Sequence, residues 1–396
     1  MNYIENVHKV FLFLYVFFVT STLSNAGRSI SLGGLLICLA YSFFKKRAEL
    51  HYSNLLPNKN YLIIYGIFFA TLLLSSAFAL TQTALSHTLT YLYWTLPLWL
   101  IYFSARFFSV HRLCCNAISL AMISTGIFTI NQFLSTPLGT RLAAPLTSPN
   151  GLAGILELCL PYIIFYSIYC YNCNYPKKEL LFNCVATVIA LFSLIFTQSR
   201  GGIAGWVIGF IILMIVKVYF KYQENLSFQK KIILFLVGVL FIGATTLSGF
   251  TIFHRSYDNE RMLMIESSYH MWEDYKAFGV GFDNWQAEYK NYVSPLAKEP
   301  TIPMPHNNIA YFFSATGVVG GLGYFIYVFG TLYFLLKKIR SKPSCIYYSA
   351  TFWAFLAIVI HGMVDSGITN KFSMQILSLG LGMVLSYTDI CTSKKQ

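Results

Sequence analysis

Apolar runs close to twenty residues long recur along almost the whole chain, and no other feature limits its possible folds so severely. A helix needs ~20 such residues to cross the hydrocarbon core of a bilayer. Inside that core every backbone N–H and C=O must find a partner within the protein, which leaves helices or closed barrels. Twelve spans can be read, at about 8–25, 28–44, 61–80, 88–104, 113–134, 151–170, 180–198, 201–220, 231–253, 306–336, 344–363 and 371–390. With 56% hydrophobic and 11% charged residues, the balance lies far from that of soluble domains. The pattern predicts an all-α polytopic membrane protein, with residues 1–396 forming one transmembrane domain.

Lysine and arginine test the count independently, because cytoplasmic connections carry the positive excess. With the N-terminus inside, the inner connections hold Lys45, Lys46, Arg47 and Lys59, then Arg106 and Arg112, then Lys177 and Lys178. Lys217, Lys221, Lys230 and Lys231 follow, then Lys337, Lys338, Arg340 and Lys342, and Lys394 and Lys395 close the tail. The net charge of +13 therefore reads as a collar facing anionic membrane lipid, not as a nucleic-acid footprint. The first span has no small-residue cleavage site after it and reads as a retained helix. The nine cysteines are scattered, with none in the large outer loop, and read as packing residues.

Few basic residues remain outside: Arg28, Arg141, Arg200, Lys371 and five in the connection 254–305. That connection, between spans nine and ten, holds eight of the fifteen acidic residues and must face water. Met262, Ile265, Tyr269 and Trp272 recur in it at helical spacing, predicting an amphipathic helix over about 258–276 on the membrane surface. FGVGF at 278–282 reads as a glycine turn, and Asp283 with Gln286 as a capping box for a second short helix.

Arg200 lies in TQSRGG, between two spans with almost no loop, so its guanidinium sits at the outer interface. An intramembrane arginine costs about 2.5–3.5 kcal/mol on insertion scales and marks a functional site unless it snorkels to lipid phosphate. Gly201, Gly202 and Gly205 let a ligand approach, and the helix start offers free N–H groups to an anion. Arg141 is the one charge in RLAAPLTSPNGLAG, whose Pro149-Asn150-Gly151 reads as a turn entering the sixth span; Glu157 follows two turns on, either as a proton carrier or in a structural pair. Arg28 and Asp365 are outer-side candidates for an ion pair or cavity, and His361 reads as a packed histidine. His306, in PMPHNNIAYFFSATG, opens the tenth span with Asn307 and Asn308 as polar supports. No phosphate-loop, nucleophile-elbow or zinc-protease motif is present. Arginine forks suit phosphate oxygens and histidine suits proton transfer near neutral pH. The set suggests a lipid-linked diphosphate donor and a hydroxyl acceptor deprotonated by His306.

SRGG at 199–202, the run ERMLMIESSYHMWEDYKAFGVGFDNW at 260–285 and PHNNIAYFFSATGVVGG at 305–321 resemble the O-antigen ligase and polymerase superfamily of bacterial envelopes. The last follows H-N-x9-G-x-x-G through His306, Asn307, Gly317 and Gly320, and RLAAPLTSPNGLAG is similar to the family's approach to a middle helix. The resemblance spans about 140–330. It implies a membrane C-type glycosyltransferase of the bacterial inner membrane, with both termini cytoplasmic and the site facing the periplasm. The donor would be an undecaprenyl diphosphate-linked glycan, with no nucleotide sugar, cofactor or metal. By the resemblance Arg200 and Arg261 hold the diphosphate and His306 is the base, while Arg141, Asn307, Asn308 and Arg28 are the substrate-binding candidates. The acceptor is a sugar of the lipid A core in a ligase, or the end of another lipid-linked unit in a polymerase. The motif spacing leans toward ligase. A lipid-linked sugar transporter is the competing class, weakened by the absence of an internal repeat.

Overall fold

The computed structural model describes residues 2–45, 56–222, 256–299, 301–365 and 367–393. Among them the chain is helical, without strands. The helices are α1 (Asn2–Ser21), α2 (Asn25–Lys45), α3 (Lys59–Ala77), α4 (Ala84–Tyr93), α5 (Leu96–Ser104), α6 (His111–Ser135) and α7 (Pro149–Asn172). They continue with α8 (Lys177–Phe196), α9 (Arg200–Tyr222), α10 (Ser256–Asp274), α11 (Trp285–Tyr292), α12 (Asn308–Ser341), α13 (Ile346–His361) and α14 (Lys371–Ser393). Eight of those described are long and apolar enough to cross a membrane: α1, α2, α3, α6, α7, α8, α9 and α12. The predicted span 231–253 lies outside the described residues. The predicted span 88–104 is broken into α4 and α5 at Trp94 and Thr95, where Pro97 enters the first turn of the second piece.

Local chemistry sets several helix starts. Asn58 caps α3, accepting from the Asn60 N–H, and Ser148 caps α7, accepting from the Gly151 N–H. Pro149-Asn150-Gly151 is therefore the first turn of α7 and not a separate turn before it. Asn307 caps α12, its side chain accepting from the Ala310 N–H.

The centre of the bundle is α13, buried along almost its whole length between α7, α9, α12 and α14. Close approach needs small residues where water supplies no driving force between helices. Gly205 and Gly209 of α9 meet this need, since a Cβ on either would press on α13 backbone at Ala357. Cys114, Cys115, Cys159 and Cys170 are buried among the same apolar side chains.

The other organising contact joins the connection after α10 to a break in α12. Gly317 interrupts that helix with φ 63° and ψ −166°, a region essentially reserved for glycine. The freed backbone groups bond to the incoming FGVGF segment and to the residues before it. Val280 and Gly281 N–H donate to the carbonyls of Ser314 (3.0 Å) and Ala315 (2.9 Å), while Val318 N–H donates to the Lys276 carbonyl (2.8 Å). Ser75 of α3 donates to the Phe278 carbonyl at 2.7 Å and the Thr316 carbonyl at 2.8 Å, tying a third element to the seam. Non-helical backbone at this position is tolerated because protein groups satisfy it.

The helix expected over about 258–276 is α10, while the capping box expected after it is corrected. In α10 Met262 and Tyr269 are exposed, and the packed face carries Glu260, Met264, Ser267, Ser268 and Met271. A mixed face is buried because protein covers it: Trp285 of α11 donates to Ser268 at 3.0 Å, and Glu260 accepts from the Lys298 N–H at 3.0 Å. Helix α11 is capped at Asn284 without a side-chain bond, so Asp283 and Gln286 form no capping box. Asp283 instead adopts φ 61° and lies beside His87.

Candidate functional site

One end of the bundle gathers the C-termini of α8 and α13 and the N-termini of α7, α9 and α12. His306 immediately precedes the Asn307 cap of α12 and has a left-handed backbone, φ 50°, which a non-glycine residue adopts only when its surroundings over-determine it. Its Nδ1 lies 3.1 Å from Asp365 Oδ1. An ionised carboxylate only accepts, so the Nδ1 proton points to Asp365 and Nε2 keeps its lone pair. The second Asp365 oxygen accepts from Asn150, and Asn150 in turn accepts from Arg141. Arg141 also donates through Nε to the Thr197 carbonyl at 2.9 Å, so the chain of bonds runs from His306 to the turn that opens α9.

The adjoining residues of that turn carry the second cluster. Arg200 Nη2 lies 2.8 Å from Asp258 Oδ1, and Arg261 Nη1 approaches the same oxygen at 3.6 Å. Two guanidiniums thus share one carboxylate oxygen, leaving the trio with a formal charge of +1. The buried Nε–H of Arg261 has no hydrogen-bond partner. A buried unpartnered cationic donor is costly, and an anion would satisfy it.

A third pair lies one turn deeper. His361 Nδ1 is 2.8 Å from Glu157 Oε1, and its Nε2 is 3.5 Å from Ser199 Oγ. Both are almost fully buried, and Gly201 and Gly202 pack against the His361 ring, where a Cβ would press on it. This ring is the socket for the start of α9, and it lies within electrostatic reach of both Asp365 and Arg261. The two clusters are thereby neighbours.

The sequence-derived residues therefore divide. Arg200 and Arg261 meet at Asp258, and Arg141 joins His306 through Asn150 and Asp365. Asn307 caps α12 and donates to the Met363 carbonyl at 2.9 Å. Asn308 is buried; its backbone N–H donates to the Gly362 carbonyl at 2.7 Å, and its side chain packs against Gly362 and Gly367. Arg28 takes a separate place, donating to Asn25 at 2.7 Å and Gln375 at 3.2 Å and packing on Phe372. Asp258 and Asn150 were not legible as site residues: one is among eight acids of a polar loop, the other reads as a turn former. Among the described residues no group of three His, Cys, Asp or Glu side chains is placed to hold a metal ion.

Residues 185–325 match the O-antigen ligase family. Over that segment, 141 of the 396 residues, the chain is similar to the O-antigen ligase family. The O-antigen ligase match contains Arg200, Asp258, Arg261, His306 and Gly317, and stops short of Glu157, His361 and Asp365. A comparison of the chain with curated proteins gives no match.

Proposed function

We propose that the chain is an O-antigen ligase of the bacterial inner membrane. It transfers a glycan from undecaprenyl diphosphate to a sugar hydroxyl of lipid A-core oligosaccharide at the periplasmic face. The observation that carries the reading is the Arg200–Asp258–Arg261 trio, a net cation with an unpartnered buried N–H, one hydrogen-bonded chain away from a carboxylate-held histidine.

In this reading Nε2 of His306 takes the proton of the acceptor hydroxyl as its oxygen bonds to the anomeric carbon. The bond from that carbon to the phosphate oxygen breaks, and undecaprenyl diphosphate leaves with the electron pair. A single displacement inverts the anomeric centre. Asp365 holds the ring in the productive tautomer and stabilises the imidazolium that forms; Asn150 and Arg141 fix Asp365. Arg200 and Arg261 match the growing charge on the leaving diphosphate, the largest kind of contribution in such a site. They supply positive charge that a divalent ion would otherwise bring, so the reaction needs no metal or other cofactor. General-base help adds ~10²–10⁴-fold. Asn307 and Asn308 serve by holding the α12 start, and Arg141 acts through Asn150, so direct substrate contact falls to His306, Arg200 and Arg261. Arg28, bonded within α2 and α14, has no part in this step.

His306→Ala and Arg200→Ala are each expected to abolish O-antigen attachment while the protein stays in the membrane; near-normal attachment in either overturns the reading. Purified protein mixed with lipid-linked glycan and rough lipopolysaccharide separates the alternatives. Ligated lipopolysaccharide supports the ligase, longer lipid-linked chains mean a polymerase, and transport without a covalent product means neither.

A further inference from the structure

A small cleft, about 50 Å³ inside its mouth, lies between α4, the segment after FGVGF and the start of α12. Trp94, Phe282 and Tyr311 give it an aromatic wall, and His87, Thr90, Asp283 and Thr369 give it polar groups. No lysine or arginine lines it.

Its polar groups are held in place. His87 Nδ1 lies 3.3 Å from the Phe282 carbonyl, which can only accept, so His87 Nε2 is left as an acceptor. Asp283 is strained at φ 61°, and its N–H donates to the Tyr311 hydroxyl at 3.0 Å. Strain of this kind persists where the surroundings impose it and clusters at ligand sites. Tyr91, on the same helix as His87 and Thr90, donates to the Ile368 carbonyl at 3.1 Å and anchors α4 to the segment that carries Asp365 and Thr369.

The cleft also adjoins the proposed base. Met304 lines it two residues before His306, so the two Cα atoms are at most about 7 Å apart. The bonded chain Asp365–Asn150–Arg141–Thr197 leads from His306 to the arginines, whereas Met304 leads from His306 to the cleft. The base stands between a cationic cluster and a cation-free one. A carboxylate beside aromatic faces, with no lysine or arginine in the lining, disfavours phosphate and suits the hydroxyls and C–H face of a neutral sugar ring.

We propose that this cleft is the acceptor-sugar subsite, in which Trp94 provides the stacking face and Asp283, His87 and Thr369 bind ring hydroxyls so that one hydroxyl reaches His306. The proposal rests on the transferase reading and concerns the acceptor side alone.

Initial rates measured with purified full-length protein, varying rough lipopolysaccharide and lipid-linked glycan in turn, test it. Trp94→Ala is expected to raise KM for the lipopolysaccharide about tenfold, and Asp283→Asn and Thr369→Val each about threefold to tenfold, with KM for the lipid-linked donor unchanged. Trp94→Phe is expected to recover most of the loss. If Trp94→Ala does not fold, Asp283→Asn, whose side chain is largely exposed, carries the test. Acceptor KM within twofold of wild type in the folded variants overturns the subsite, as does a rise confined to donor KM. Full activity of His306→Ala and Arg200→Ala would instead overturn the roles given to those two residues, and a shift in acceptor KM would then still stand for the cleft.

Discussion

Arg112 and Arg200 lie at opposite ends of the bundle, and the same chemistry serves opposite purposes in them. At the start of α6 Arg112 forms a two-pronged pair with Glu179, Nε to Oε1 at 3.0 Å and Nη2 to Oε2 at 2.5 Å. Asn116 and Tyr166 also donate to that carboxylate, and Arg112 packs over Tyr175. One positive charge meets one negative charge, and the carboxylate is filled. At the other end Arg200 and Arg261 reach a single Asp258 oxygen, one at bonding distance and one beyond it. A filled pair holds helices together; in the proposed function the overcharged one holds a place for the donor diphosphate. Exposure does not make the distinction, since the Arg112 side chain is 56% exposed and that of Arg200 31%. Charge count and donor satisfaction do.

The largest expected effect tests that distinction directly. Arg200→Ala and Arg261→Ala should each lower kcat/KM for the lipid-linked donor by about 10²–10³-fold, the scale of losing one charge-stabilising donor. Arg112→Ala should leave it within about threefold. Equal losses in all three variants would erase the difference between the two ends.

Next in size is the support of the open cluster. Gly317→Ala places a Cβ against the Ala277 carbonyl and forces a glycine-only backbone, costing about 3 kcal/mol or more. The expected result is a lower Tm together with lost transfer, because the segment docked there leads back to α10 and Arg261. A normal Tm would show that the break and the loop are not coupled.

Removing the carboxylates should have smaller and opposite consequences. Glu179→Gln is expected to cost about 1–2 kcal/mol of stability, discounted for the exposure of its partner, with little change in donor KM. Asp258→Asn should lower donor KM or leave it unchanged, since it raises the local charge, and thermal unfolding with donor titration would show both. A raised donor KM in Asp258→Asn would mean that Asp258 orients the arginines more than it offsets them. The mildest effect is on salt: raising ionic strength should increase donor KM a few-fold by screening a partly exposed cation site, while Tm changes little.

Much of the fold was legible because membrane insertion is governed by local composition. Apolar runs marked the helices, and the basic residues that break the sidedness rule included Arg200 and Arg141. His306 stood out as an imidazole at a helix start. The breaks at Thr95 and Gly317 were not legible as breaks, because apolar composition continues across both and only packing partners accommodate the freed backbone. The apolar stripe of α10 marked the helix but not the face packed on protein: polar neighbours from α11 and residue 298 cover Glu260 and Ser268, while Met262 and Tyr269 are exposed.

By itself, then, the sequence determined a helical membrane protein with cations on its less basic side and a histidine among them, since these depend on the polarity of short segments. Tertiary structure alone decided the partners. Asp365 meets His306 across 59 residues, Arg200 meets Asp258 across 58, and Glu157 meets His361 across 204. Which carboxylate meets which cation depends on where distant helix ends are carried by packing, and that determines whether a charge is matched one to one, as at Arg112, or left in excess, as at Arg200 and Arg261.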